Sequence, residues 1–132
     1  MQKEGYDRLT RQIIRCAIEV HQQLGPGLME SVYDHCLSAE LTARHLAVER
    51  QKILPIVYRE EVLDKEFVID QLVEGLIILE LKSAEAILPV HEAQLVTYLK
   101  LSGKKLGLLI NFNVPVLKDG IRRKINGNLN HL

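Results

Sequence analysis

The stretch FVIDQLVEGLIILELKS, residues 67–83, is where charge breaks into the most apolar part of the chain. Successive residues of a strand point to opposite faces, so Glu80 and Lys82 share one face and Leu79 and Leu81 the other. A glutamate and a lysine in so apolar a strand are costly unless they are paired or used. Asp70 falls on the preceding strand, and its relation to Glu80 depends on the turn between them. A two-residue turn at Glu74-Gly75 would pair Asp70 with Leu79 and set the carboxylates on opposite faces. A three-residue loop of Val73, Glu74 and Gly75 pairs Leu72 with Leu76 and Asp70 with Ile78, with Gly75 in the left-handed position such a turn requires. We expect this second register, which makes Asp70 and Glu80 diagonal neighbours with backbones roughly 7–8 Å apart.

Two carboxylates across that gap can share one hard divalent cation. Mg²⁺ prefers oxygen ligands, keeps several waters and commonly takes one or two protein carboxylates plus a substrate phosphate. Such a cation acidifies water and stabilises charge on a phosphate. Lys82 could orient or deprotonate an attacking water, or offset the developing negative charge. The same side chains could instead form a buried ion-pair network without catalysis.

Two further groups deserve weighing. His91, Gln94 and Tyr98 are spaced at three and four and so share one helical face, where the amide and the hydroxyl could position water or a phosphate. They also fit an ordinary boundary between helix and solvent. Gly27, Glu30 and Tyr33 open another helix. Glu30 there suits the macrodipole and Tyr33 suits the core, so neither needs a functional explanation. His21, on the helix before, is more often a packed or surface residue than a ligand.

The elements that must hold these residues follow from periodicity. Leu9, Ile13, Ile14, Ala17, Ile18, Val20 and Leu24 mark a helix from about Tyr6 to Leu24, ended by Gly25-Pro26-Gly27. A second helix runs from about Met29 to Leu46. Leu54–Arg59, Glu66–Val73 and Leu76–Lys82 read as strands, with Glu60–Asp64 as a turn region. The third is apolar enough to sit centrally in the sheet. A helix starting at Pro89 reaches about Leu101 and ends at Gly103. Leu106–Phe112 is a buried strand, and Ile121–Ile125 a short edge strand whose Arg122, Arg123 and Lys124 suit an exposed border. The order ααβββαββ predicts an α/β fold, a mixed β-sheet flanked by helices in one layered unit over residues 1–132.

Bulk properties set limits. At 132 residues, 47% hydrophobic and 26% charged, the chain has the balance of one globular domain rather than of a disordered segment. Its net charge of zero excludes a bulk electrostatic grip on nucleic acid, though not a local basic surface. Neither a signal-like start nor a run of about 20 apolar residues is present, which predicts a cytoplasmic protein away from the membrane. Cys16 and Cys36 fall within helical patterns, as reduced thiols would, and two thiols cannot supply the four ligands usual for an iron–sulfur cluster.

Taken together, these pieces resemble the GxxExxY family of bacteria and archaea, assigned to the PD-(D/E)XK nuclease superfamily. The resemblance rests on His21, LGPGLMESVY at 24–33, ID at 69–70, ELK at 80–82, HEAQLVTYLKLSG at 91–103 and GLLINF at 107–112. It implies a restriction-endonuclease-like core, with Asp70 and Glu80 as metal-binding acids and Lys82 as the lysine of the motif. The backbone carbonyl of Leu81 is then a further metal ligand, and Glu30 the acid contributed by the first core helix. Gln94 and Tyr98 look like the Q-x-x-x-Y motif of RecB-like exonucleases, which supports substrate and site geometry. His21 is a second-tier metal ligand by the same comparison. Ile69 stands where the motif's proline would be, and the four-cysteine cluster of some relatives is absent. The implied activity is hydrolysis of DNA with Mg²⁺ or Mn²⁺, aided by Lys104, Lys105, Lys118, Arg122, Arg123 and Lys124. A second copy or a partner protein could complete the DNA groove. The competing expectation is a catalytically silent interaction module that keeps the fold.

Overall fold

The computed structural model describes residues 1–129. Helices α1 (Lys3–Leu24) and α2 (Glu30–Ala43) lead into a five-stranded sheet of β1 (Val48–Tyr58), β2 (Glu61–Val73), β3 (Ile77–Lys82), β4 (Leu106–Asn111) and β5 (Ile121–Ile125). Helix α3 (Pro89–Ser102) connects β3 to β4, and a short 3-10 helix (Leu117–Gly120) precedes β5. Strand order in space follows the chain, β1-β2-β3-β4-β5. Among the described residues only the β3–β4 pair is parallel, as a helical crossover requires. The sheet is therefore mixed and flanked by helices, as expected from the sequence.

Apolar alternation sorts the helices onto opposite faces. On one side Leu9, Ile13, Ala17, Tyr33, Leu37 and Leu41 of α1 and α2 pack against Ile77, Leu79, Leu81, Leu108 and Ile110. On the other, Leu95 and Leu99 of α3 pack against Ile69, Leu72, Ile78 and Leu109. Gly107 makes room for α3: a Cβ there would lie 2.7 Å from Leu95 Cδ1. Strands β3 and β4 are covered on both faces, which explains their near-continuous apolar sequence.

Three boundaries differ from expectation. Helix α2 stops at Ala43, because His45 takes a left-handed backbone (φ 63°) and Leu46 N–H bonds to Leu41 O at 3.1 Å. No glycine announces that stop. Strand β1 begins at Val48 rather than Leu54; its first half, Val48–Ile53, carries charges that suit an edge strand. The β1–β2 turn is a pair of left-handed residues, Arg59 (φ 48°) and Glu60 (φ 67°), so β2 starts at Glu61. Such turns usually carry Asn-Gly, which is why Arg-Glu gave no signal.

Candidate active site

The β2–β3 hairpin decides where the carboxylates meet. Its pairs are Val73 with Ile77, Leu72 with Ile78 and Gln71 with Leu79. The loop is thus three residues long as expected, but it is Glu74, Gly75 and Leu76, one position later than Val73–Gly75. Gly75 has the positive φ foreseen (65°), and Glu74 shares it (φ 55°). Ala47 holds Glu74 in that conformation from both sides. It accepts the Glu74 N–H at 2.8 Å and donates its own N–H to the Glu74 carboxylate at 2.6 Å. Leu76 N–H closes the turn on Val73 O at 3.0 Å.

This shift moves Asp70 from a diagonal to a direct relation with Glu80. The backbone ladder ends at Gln71–Leu79, and side chains take over from there. Asp70 N–H donates to Glu80 Oε1 at 3.2 Å, and Leu81 N–H donates to Asp70 Oδ2 at 2.8 Å. The strand alternation also slips here. Ile69 packs on the α3 side, yet Gln71, two residues on, reaches Asp34 of α2 on the other. Across on β1, Gln51 adopts φ 49°, and the regular pairing of β1 with β2 skips Gln51 and Asp70. A left-handed glutamine inside a strand is strained backbone of the kind that gathers at functional sites. The irregularity turns Asp70 into the gap between α2 and the sheet.

Burial makes the carboxylate pair expensive to ionise. Glu80 is 7% exposed. Burial, then the neighbouring Asp70 carboxylate, push it up to about 8. Burial likewise raises Asp70, with Asp34 and Glu30 adding to the rise, while the Leu81 N–H and Lys82 pull it down. Like charges side by side in a dry place hold protons unless a cation offsets them.

A hollow of about 310 Å³ opens beside the pair, lined by Glu30, Ser31, Asp34, Gln51, Asp70 and Leu81. A second hollow of about 600 Å³, bounded by Gly27, Leu28, Met29, Ser83 and Asn113, also shares Glu30 and Ser31 with the first. Helix α2 presents Glu30 here because Tyr33, one turn on, fixes the entry to the helix. Its ring stacks on Phe112 (centroids 4.4 Å apart), and its hydroxyl donates to Gly25 O at 2.5 Å and accepts Leu28 N–H at 3.2 Å. At the far end of β3, Phe112 N–H bonds to Lys82 O at 2.9 Å. Buried Asn111 ties down the following loop, accepting from Ala84 N–H at 3.1 Å and donating to Ala84 O at 2.9 Å.

The remaining candidates divide. Tyr98 stacks on Phe67 at 4.6 Å, and burial with the charges of Glu80 and Asp70 raises its hydroxyl pKa. Gln94, one turn earlier, is exposed and makes no side-chain hydrogen bond among the described residues. His91 accepts Leu88 N–H at 3.1 Å and so caps α3. The structure does not bring His21 to the carboxylates. Its buried ring lies 2.8 Å from Val114 O and lines a separate hollow with Ile18 and Pro115. The basic residues near the carboxyl end are partly spent: Arg123 pairs with Asp7 and Lys124 with Glu92.

Asp34 is the residue that sequence reasoning missed. It sits four residues after Glu30 on the same helical face, and that spacing was the available signal. Its Oδ2 accepts from Arg50 Nε at 3.0 Å and Nη2 at 2.5 Å, and its Oδ1 from Gln71 Nε2 at 2.8 Å.

Among the described residues no three His, Cys, Asp or Glu side chains converge into a ready-made metal cage. The donor set nonetheless fits a hard cation, which needs one or two carboxylates and water rather than a closed cage. A crowded carboxylate pair with Leu81 beside it is an arrangement that such a cation relieves. A family model of the PD-(D/E)XK nuclease superfamily matches residues 7–124. No curated protein matches the chain. The solved structure of SSO0001 is similar in fold, at 22% identity and a TM-score of 0.50. The likeness covers 76% of this chain and 50% of that one, so the chain spans about half that protein's length. With the match extending over nearly its full length, the chain belongs to the PD-(D/E)XK nuclease superfamily.

Proposed function

We propose that the chain hydrolyses DNA phosphodiester bonds with Mg²⁺ or Mn²⁺, at a site made by Asp70, Glu80 and Lys82. The observation that carries this reading is the desolvated Asp70–Glu80 pair, in direct contact and two residues from Lys82, in a chain of this superfamily. Asp70, Glu80, the Leu81 carbonyl and Glu30 would hold the cation. When bound, the cation supplies acidification of water and withdrawal of charge from the scissile phosphate.

The chain's own residues do the rest. Lys82, fixed at the end of β3, orients the attacking water and offsets negative charge growing on the phosphate. Tyr98 lends a hydroxyl near the carboxylates, and Gln94, the other half of the Q-x-x-x-Y pattern, contacts substrate from the exposed face of α3. The open hollow beside Glu30 and Ser31 gives the nucleic-acid backbone room to approach. DNA rather than RNA is favoured by resemblance to the GxxExxY family.

The test is a cleavage assay on linear, circular and single-stranded DNA and on RNA, with Mg²⁺ or Mn²⁺. We expect Lys82→Ala and Glu80→Gln each to lower the rate at least about 100-fold. Undiminished activity in both variants would sink the assignment. Absence of any cation binding that depends on Asp70 and Glu80 would favour the silent interaction module instead.

A further inference from the structure

Two carboxylates on α2, Glu30 and Asp34, line the same hollow as Asp70, and they are treated in opposite ways. The Glu30 side chain is exposed and carries no hydrogen bond or ion pair among the described residues. Asp34 is buried and has both oxygens engaged, Oδ2 by the Arg50 guanidinium and Oδ1 by Gln71. Gln71 also donates to the Asp34 backbone carbonyl at 2.9 Å, so β1 and β2 together grip one residue of α2. Arg50 and Gln71 face each other across the β1–β2 pair, which fixes both donors in one place.

We propose that Arg50 is a positioning residue that keeps Asp34 out of the cation's coordination shell, leaving Glu30 as the acid that α2 contributes. This rests on the proposed metal site. A carboxylate whose lone pairs are committed to a guanidinium and an amide is a poor ligand. Freed of Arg50, Asp34 would add an uncompensated negative charge to a hollow already lined by Glu30 and Asp70. A divalent cation would then be drawn in more tightly but into the wrong donor set, which costs turnover because catalysis needs the cation and the attacking water in one geometry. A merely structural ion pair predicts the reverse: loosening α2 lowers affinity and rate together.

Arg50→Gln tests this, because its amide can still donate to Asp34 without carrying charge. Mn²⁺ titration followed by electron paramagnetic resonance reads affinity without reference to turnover. We expect Arg50→Gln to bind Mn²⁺ about tenfold more tightly than wild type and to cleave more slowly at saturating Mn²⁺. Arg50→Lys, which restores the charge, returns affinity to the wild-type value. Arg50→Gln combined with Asp34→Asn also returns it, because the stranded charge is gone. Unchanged or weaker Mn²⁺ binding in Arg50→Gln overturns the proposal, as does tight binding that persists in the double variant. Asp70→Asn is the control for the site itself: if it binds Mn²⁺ as wild type does, the metal assignment falls, and this proposal with it. Should Arg50→Gln alone not fold, Arg50→Gln combined with Asp34→Asn carries the test, because it removes both charges of the pair at once. That double variant is expected to keep wild-type Mn²⁺ affinity, and a loss of affinity in it would make Asp34 a ligand and overturn the proposal.

Discussion

Glu80→Gln should make the metal-free protein more stable at alkaline pH, although it removes the residue most central to the proposed chemistry. The substitution keeps the side chain's shape and an oxygen to accept the Asp70 N–H, and deletes the charge. Glu80 is lifted from the ordinary 4.5 to about 8, first by burial and then by Asp70. At about 1.4 kcal/mol per pH unit, that rise makes ionised Glu80 cost the fold roughly 5 kcal/mol, with about 3 as a floor because part belongs to the pair. The folded-state pKa lies above the unfolded one, so the associated stability is full below pH 4.5 and is lost as pH rises towards 8. Wild type in EDTA should therefore weaken between pH 5 and pH 9 by about 3–5 kcal/mol more than Glu80→Gln does. That is on the order of 10–20 °C in melting temperature for a chain of this size. Urea denaturation of both proteins at the two pH values measures the difference, and titrating groups away from Glu80, Asp70 and Tyr98 cancel in the comparison. Parallel stability curves for the two proteins from pH 5 to 9 would refute the reasoning, because they would mean Glu80 is not desolvated beside Asp70.

Other expectations concern the parts that hold the site. Tyr33→Phe removes a hydroxyl that bonds Gly25 O and Leu28 N–H. It should cost about 1–3 kcal/mol in denaturant unfolding and weaken Mn²⁺ binding through Glu30; an unchanged midpoint would show the turn is held by other contacts. Gly107→Ala sets a methyl against the Leu95 side chain, which must repack between α3 and the sheet, at about 1–3 kcal/mol in denaturant unfolding; an unchanged midpoint would show that Leu95 finds another rotamer without cost. Gln51→Gly relieves a left-handed backbone (φ 49°) and should stabilise the fold by up to about 1 kcal/mol; destabilisation would mean that the Gln51 side chain contributes more than the strain costs.

Much of this molecule could be read from its residues. Leu9, Ile13, Ala17 and Val20 repeat at helical spacing and are all buried, and Pro89 and Gly103 bracket α3 as a start and a left-handed stop. Glu80 and Lys82 stood out because charge in a doubly covered strand needs a reason. The hairpin register did not follow, since it depends on Glu74 adopting a left-handed conformation held by Ala47, 27 residues earlier. Asp34 escaped for the same kind of reason: its role is set by Arg50 and Gln71, both distant in sequence. The first half of β1 is illegible in the sequence because VERQK carries no apolar alternation, and an edge strand requires none.

The placing of Asp70 and Glu80 on one hairpin also bears on how the molecule is made. Ten residues separate them, so closing that loop costs little chain entropy compared with bringing in Glu30, forty residues before Asp70. Contacts this local tend to form early. The chain then meets its like-charge conflict at the beginning of folding, while Glu80 still exchanges protons freely with solvent. On the young, solvated hairpin both carboxylates stay ionised; the proton arrives only as burial closes over Glu80, so the last step of folding is also a protonation.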